Sequence, residues 1–190
     1  MKVGKEYRKR CKRYNEAGHA HELTFSCFRS QALLIENHSR KWFADAVNTA
    51  RQKHRFDVWA YVVMPEHVHL LVWPRENDYS VSAILKSIKQ SVSRRVIGRL
   101  RRENPSGLAR LASGREDCPY CFWQEGGGYD RSIRSGVTLR HAIDYIHRNP
   151  VRRGLVERPG DWLWSSFGDW DLARAGPIPI GRESCALALA

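Results

Sequence analysis

The chain has 190 residues, enough for one domain with a sizeable core, and 42% of them are hydrophobic, which excludes wholesale disorder. Lysine and arginine number 32 against 20 aspartates and glutamates, so the formal net charge is +12. No stretch of about 20 apolar residues could span a bilayer, and the basic start lacks the apolar segment of a signal peptide.

The first predicted segment is a basic, flexible arm over residues 1–18, which carries much of this positive charge. A short strand follows at Leu23–Phe28. Ser39 then has the residue type of an N-cap, and apolar residues at helical spacing after it predict a helix that ends near His54.

Two strand-forming runs come next, Val58–Met64 and His67–Trp73, separated only by Pro65-Glu66. So short a break predicts a tight β-hairpin. Ser80 or Ser82 is then expected to cap a long basic helix, which the Asn104-Pro105-Ser106-Gly107 sequence ends.

The remaining elements are less regular. Residues 104–121 predict a variable loop, and a fourth strand begins at Phe122–Gln124, is broken by three glycines and resumes near Tyr129–Ile133. A last helix is expected from Thr138 to Asn149, because Pro150 disfavours helical geometry in the residue before it. Residues 173–190 are predicted to be a C-terminal tail.

This order of elements predicts an α+β fold of the ferredoxin-like, split β-α-β type, with an antiparallel sheet and an added C-terminal helix. The charge balance predicts a polyanionic partner and is compatible with DNA or RNA. The five cysteines are odd in number and scattered, which indicates reduced thiols and a cytoplasmic location. The lone Cys118-Pro-Tyr-Cys121 lacks the second pair of a structural zinc site.

Two histidines in the predicted hairpin are candidate metal ligands. Side chains alternate along a strand, so His67 and His69 should share one face while Val68 points to the other. Neutral imidazoles side by side suit a divalent ion. Surface histidines on a half-exposed strand are the plain alternative. The second such pair, His19 and His21, lies in polar sequence, and we interpret it as incidental.

The last predicted helix carries the second candidate group. Tyr145 and Asn149 are one turn apart, so their side chains should be neighbours on one flank of the helix. A phenol and an amide oxygen could therefore face the same ion, although a tyrosine at the edge of the core would give the same pattern.

Four segments of the chain resemble the single-tyrosine HUH transposases (the IS200-like transposase family), and most closely their REP-associated tyrosine transposases. The resemblance runs from about residue 20 to 172, and its segments in chain order are Tyr61–Val72 with the His-Val-His strand, Ile84–Gln90, Tyr145–Val156 and Trp162–Ser166. The resemblance implies a single catalytic domain over residues 19–172. The stretch Pro119–Gly128 departs most from the family pattern.

The resemblance assigns roles residue by residue. His67 and His69 match the metal-binding pair, Asn149 the third ligand and Tyr145 the nucleophile, with Mg²⁺ or Mn²⁺ as the expected ion. Tyr145 would attack a phosphate of single-stranded or hairpin DNA and leave a 5′-phosphotyrosine. Phosphate contacts are expected from the basic helix, at Lys86, Lys89, Arg94 and Arg95.

Two other functions remain open on the sequence. One is a protein that binds DNA hairpins without cutting them, and the other is an RNA-binding module on the same fold. The resemblance favours a transposase or domesticated transposase that acts on REP-like palindromic DNA. We expect a monomer without membrane contact, although the insertion-sequence relatives act as dimers.

Overall fold

One four-stranded antiparallel sheet organises the chain in a computed structural model that describes residues 14–126 and 128–189. The predicted arm lies outside the described residues as far as position 13. The strands run in the spatial order β2-β3-β1-β4. Their bounds are β1 Ala20–Ser26, β2 Phe56–Val63, β3 His67–Pro74 and β4 Tyr129–Ile133.

Two long helices make the connections between strands. Helix α1 covers Asn37–His54 between β1 and β2, and helix α2 covers Val81–Glu103 between β3 and β4. Both pack on the same face of the sheet, where Phe43 of α1 and Ile88 of α2 join one buried apolar cluster. This arrangement is the predicted ferredoxin-like split β-α-β fold, and the α+β class is confirmed.

Helix α4, Gly136–Arg152, covers part of the opposite face. Its Ala142 and Ile146 pack with Val62 and Leu71 in a second buried cluster. Burying a side chain of this size stabilises a fold by about 1.5–3 kcal/mol. The sheet is therefore buried by helices on both faces, and α4 lies directly above β2 and β3.

Three predicted helix ends were wrong. Helix α1 begins at Asn37 after an extended Glu36, so Ser39 lies inside its first turn instead of capping it. Helix α4 begins at Gly136, capped by Ser135, and continues through Pro150 to Arg152. Pro150 lacks a backbone N–H and so removes one hydrogen bond of the helix. The helix tolerates this loss because it falls near the C-terminal end, where the Arg153 N–H still donates to the Asn149 carbonyl at 3.0 Å.

The remaining boundaries agree less evenly, since β1 covers Ala20–Ser26 instead of the predicted Leu23–Phe28. Ser80 caps α2 by accepting a hydrogen bond from the backbone N–H of Ala83, as predicted. The short helix α3, Pro105–Ala109, interrupts the predicted loop. The fourth strand is regular only at Tyr129–Ile133, and Trp123 makes an isolated bridge to Cys27.

The segment after α4 protects the edge strand β2. The backbone of Trp164 accepts from the Val63 N–H at 2.8 Å, and the indole N–H groups of Trp162 and Trp170 donate to carbonyls of β2. An unpaired strand edge is a site of aggregation, so this cover has a clear physical benefit.

Residues expected to form a tail also pack on the fold. The short helix α5, Phe167–Asp171, lies just before the predicted tail, and helix α6, Arg182–Leu189, lies within it. Ser184 accepts from the indole N–H of Trp59 and donates to Asp57, both at 2.9 Å, and Cys185 is fully buried. No helix over the described residues has the length and apolar character that a membrane crossing needs.

Candidate active site

The two histidines of β3 face α4, as the strand alternation predicts. Val68 and Leu70 point into the cluster under α1 and α2, whereas His67 and His69 point to the other face. Their Nε2 atoms are 3.1 Å apart and their rings meet edge-on, with centroids 4.9 Å apart. Two imidazole nitrogens therefore converge on one point.

Neighbouring side chains fix both rings through the other nitrogen. Nδ1 of His69 lies 2.9 Å from the hydroxyl of Thr24, its partner across the β1–β3 ladder. Nδ1 of His67 lies 3.1 Å from the carboxylate of Glu66, which also accepts from Arg153 at 2.7 Å. Such contacts to the outer nitrogen set the tautomer of a metal-ligating histidine and hold its ring.

Burial keeps both histidines neutral near pH 7. Burial, with a smaller contribution from the neighbouring His67, lowers the pKa of His69 to about 3. Burial also lowers the pKa of His67, although Glu66 opposes that effect. Neutral imidazole is the form that binds a metal ion, so the ligand form is present at physiological pH.

Helix α4 places the side-chain amide of Asn149 next to the Nε2 atoms of the two histidines. Its Nδ2 lies 3.1 Å from Nε2 of His69. The amide Oδ1 is buried and has no hydrogen-bond partner among the described residues. A buried amide oxygen without a partner is unfavourable, and rotating the amide would present it to the histidine nitrogens. The donor set therefore fits a small divalent cation bound by two nitrogens and one oxygen.

Asn149 is the candidate for a third donor beside the histidine pair. Across residues 14–126 and 128–189, no three histidine, cysteine, aspartate or glutamate side chains are grouped so that they could hold a metal ion. Cys118 and Cys121 are free thiols with their sulfurs 3.0 Å apart, on a different part of the chain.

Tyr145 lies next to the histidine pair, one turn before Asn149. The centroid of its ring is 5.4 Å from that of His69, and the planes are nearly perpendicular, at 85°. The guanidinium of Arg152 lies 4.9 Å from the centroid of the Tyr145 ring. The tyrosine remains 38% exposed, so a bulky substrate can reach it.

The phenol opens on a hollow of about 570 Å³. The hollow lies where α4 leaves the β1–β4 side of the sheet uncovered. Its lining includes polar residues from both strands and from α4: Glu22, Thr24, Tyr129, Arg131 and His141. His69 and Tyr145 also line it, so it opens directly beside the candidate site.

The predicted DNA contacts lie elsewhere. Lys86, Lys89, Arg94 and Arg95 belong to α2, on the face of the sheet opposite His67. Arg95 pairs with Asp45 at 3.1 Å, and Lys89 donates to the carbonyl of Gly126 at 3.4 Å. The structure thus joins the metal pair, the amide and the phenol, and leaves these cations at a distance from them.

Several site residues were missed in the sequence. Glu66 could have been found, because it directly precedes His67 in the sequence. Arg153 was missed because it lies beyond the predicted end of the last helix. Thr24 gave no signal, because its role depends on the register between β1 and β3. His21, interpreted as incidental, is buried between Asp130 and Tyr79, with contacts of 2.9 and 2.8 Å.

Comparison with known proteins adds independent evidence. The family model described as "Transposase IS200 like" matches residues 17–149. A REP-associated tyrosine transposase of Escherichia coli K12 is 30% identical over 152 residues, which cover 80% of this chain and 76% of the relative. A putative REP-associated tyrosine transposase of Haemophilus influenzae is 27% identical over 142 residues, or 71% of this chain and 76% of the relative.

A solved structure has the same fold over nearly the whole length. It is that of a REP-associated tyrosine transposase bound to a REP hairpin, with 25% sequence identity and a TM-score of 0.67. The match covers 91% of this chain and 92% of the other. The described architecture is therefore shared, over most of its length, with a solved relative.

Proposed function

The chain belongs to the IS200-like transposase family, and from that membership we propose that it is a metal-dependent single-strand DNA endonuclease and strand transferase. The observation that carries the proposal is the convergence of His67, His69, Asn149 and Tyr145 from two distant segments. A nucleophile beside a possible cation site suits phosphoryl transfer.

Tyr145 is the proposed nucleophile. Its phenolic oxygen attacks the phosphorus of a backbone phosphodiester, and the bond from phosphorus to the 3′ oxygen of the preceding nucleotide breaks. The products are a 5′-phosphotyrosine and a free 3′-OH, because the phenol loses its proton to solvent and the leaving 3′ oxygen takes up a proton from solvent. Because the covalent bond is retained, a 3′-OH can reverse the step and join strands.

A Mg²⁺ or Mn²⁺ ion held by His67, His69 and Asn149 would supply Lewis-acid polarisation of the scissile phosphate and neutralise its charge. Glu66 and Thr24 keep the imidazoles turned toward that position through their Nδ1 atoms. These two residues therefore act by positioning.

Arg152 positions the phenol. Its guanidinium lies over the Tyr145 ring and holds the ring through a cation–π contact.

The proposed substrate is single-stranded DNA that folds into a hairpin, of the REP type found with the solved relative. Positive charge on the chain supports a polyanion, and the uncovered hollow beside Tyr145 accommodates an extended strand. We further propose that a monomer suffices, because all four groups of the site come from one chain.

A denaturing gel tests this function. The protein is incubated with an end-labelled hairpin oligonucleotide and Mn²⁺, and a slow-migrating, protease-sensitive band is sought. The proposal expects the band with Mn²⁺ and its loss in EDTA. A protein that only binds hairpins would retard the DNA on a native gel and give no such band, and that result would reject the proposed cleavage.

A further inference from the structure

A second groove, distinct from the hollow beside Tyr145, runs along helix α2. It has a volume of about 550 Å³ and lies between α2 and residues 118–123. We call it the α2 groove. The residues that line the α2 groove include Lys89, Arg94, Arg101, Tyr120, Phe122 and Trp123.

The described lining of the α2 groove is basic. It contains arginines and a lysine, and among the described residues that line it none is an aspartate or glutamate. Arg94 makes no ion pair with the described part of the chain, whereas Arg95 and Arg99 on the same helix pair with Asp45 and Glu103. A lining of this charge favours an anionic ligand.

The wall opposite α2 is aromatic. The guanidinium of Arg101 lies 5.8 Å from the ring centroid of Tyr120, and Phe122 and Trp123 form the buried floor. Bases stack on aromatic rings and on guanidinium planes, and positive grooves with such platforms bind single strands without sequence preference. A folded duplex would present its phosphates but no free base to Tyr120.

Strand β1 lies between one end of the α2 groove and the active site, with one site on each face of the sheet. Lys89 lies 5.4 Å from the ring centroid of Phe25, and its ammonium group donates to the carbonyl of Gly126. The residue before Phe25 is Thr24, which points to the other face and contacts His69. A strand that leaves the groove at Lys89 can therefore reach the hollow by passing round the sheet edge beside Tyr129.

We propose that the α2 groove holds the single-stranded DNA that continues from the hairpin, with its phosphates on Arg94 and Arg101 and a base on Tyr120. This inference rests on the proposed single-stranded DNA substrate. It adds a binding surface on the face of the sheet opposite the histidine pair.

Fluorescence anisotropy of three labelled probes tests the groove. The probes are a blunt hairpin, the same hairpin with a ten-nucleotide single-stranded extension, and RNA of the extended sequence. Binding is measured with parent protein and with the double variant Arg94→Gln/Arg101→Gln, between about 50 and 200 mM salt. The matched control is Arg99→Gln/Arg102→Gln, which removes two arginines of the same helix that do not line the α2 groove.

The double groove variant should bind the extended hairpin about tenfold more weakly and lower the slope of log K against log salt by about 1.4, as two single-strand phosphate contacts predict. Binding of the blunt hairpin should not change. Tyr120→Ala should weaken binding of the extended hairpin about tenfold with the slope unchanged, because stacking carries no charge.

Equal loss in the control variant, parent-like binding by the groove variant, or tighter binding of the RNA probe would each overturn the inference. The covalent-adduct gel separates this outcome from the proposed cleavage. If the parent forms no adduct while the groove variants lose binding to the extension, the groove stands and the cleavage fails. If the parent forms the adduct while the groove variants bind like the parent, the cleavage stands and the groove inference fails.

Discussion

The side-chain amide of Asn149 lies 3.1 Å from Nε2 of His69, although 80 positions separate the two residues in the chain. This contact joins α4 to β3 and brings the phenol of Tyr145, one turn earlier, beside the imidazole pair.

Glu66 should control metal affinity through His67. The substitution Glu66→Ala removes the acceptor of the His67 Nδ1–H and the partner of Arg153. We expect Mn²⁺ to bind about 10–100-fold more weakly, the usual cost of losing such a contact, as measured by calorimetry. The control Glu76→Ala removes a surface pair with Arg55 and should leave Mn²⁺ affinity unchanged. Unchanged affinity in Glu66→Ala would show that the carboxylate does not position the ligand.

One chain should hold a complete site. If so, a mixture of His67→Ala and Tyr145→Phe proteins cannot regain activity, because neither chain has both the metal pair and the nucleophile. We expect no covalent adduct from the mixture on a denaturing gel. An adduct well above the level of either variant alone would show that subunits exchange site residues, and would contradict the proposed monomer.

Gly128 should be needed for the orientation of Thr24. It has a φ of +68°, and a Cβ there would collide with the carbonyl oxygen of Thr24. We expect Gly128→Ala to destabilise the fold by more than about 1 kcal/mol and to reduce nicking, since Thr24 holds His69. Gly126→Ala is the control, because it also has positive φ but no atom within 4 Å. Urea unfolding should show the larger loss at position 128, and equal losses would argue against the close contact.

Stability should fall between pH 6.5 and pH 4 because of buried His147. Burial lowers its pKa to about 4 from an ordinary value of 6.5. The unfolded chain then binds the proton more readily, so the contribution of His147 is complete above pH 6.5 and is lost as pH falls through 4. The size of this loss is of the order of 2–3 kcal/mol.

Urea unfolding at several pH values measures this effect. His147→Gln should flatten the pH dependence by about one proton between pH 4.5 and 6, whereas His141→Gln, on the exposed side of the same helix, should not. An unchanged slope in His147→Gln would mean that its burial does not govern acid stability.

Local patterns in the sequence were sufficient for much of the site. Strand alternation placed His67 and His69 on one face, and helical spacing placed Tyr145 beside Asn149. Each inference needs only the periodicity with which side chains change direction along one strand or one helix, and this can be read directly from the sequence. The order of elements likewise predicted the split β-α-β sheet, since few topologies accommodate it.

Contacts between elements were not predictable in this way. The pairing of Thr24 with His69 depends on strand register, and the bond between Arg153 and Glu66 depends on where α4 ends. The rule that proline ends a helix failed at Pro150 because the position falls in the last turn. The basic residues of α2 were assigned to the DNA interface because they are close together in the sequence. Closeness in the sequence does not show which face of the sheet the helix covers.

Mass spectrometry of the covalent product is the most direct measurement. Parent protein is incubated with hairpin DNA and Mn²⁺, the DNA is trimmed by a nuclease, and the protein is digested with a protease. We expect one peptide containing Tyr145 to carry a 5′-linked nucleotide on the phenol, and Tyr145→Phe to carry none while still binding the hairpin. A nucleotide on another residue, or an undiminished product from Tyr145→Phe, would contradict the assignment of the nucleophile.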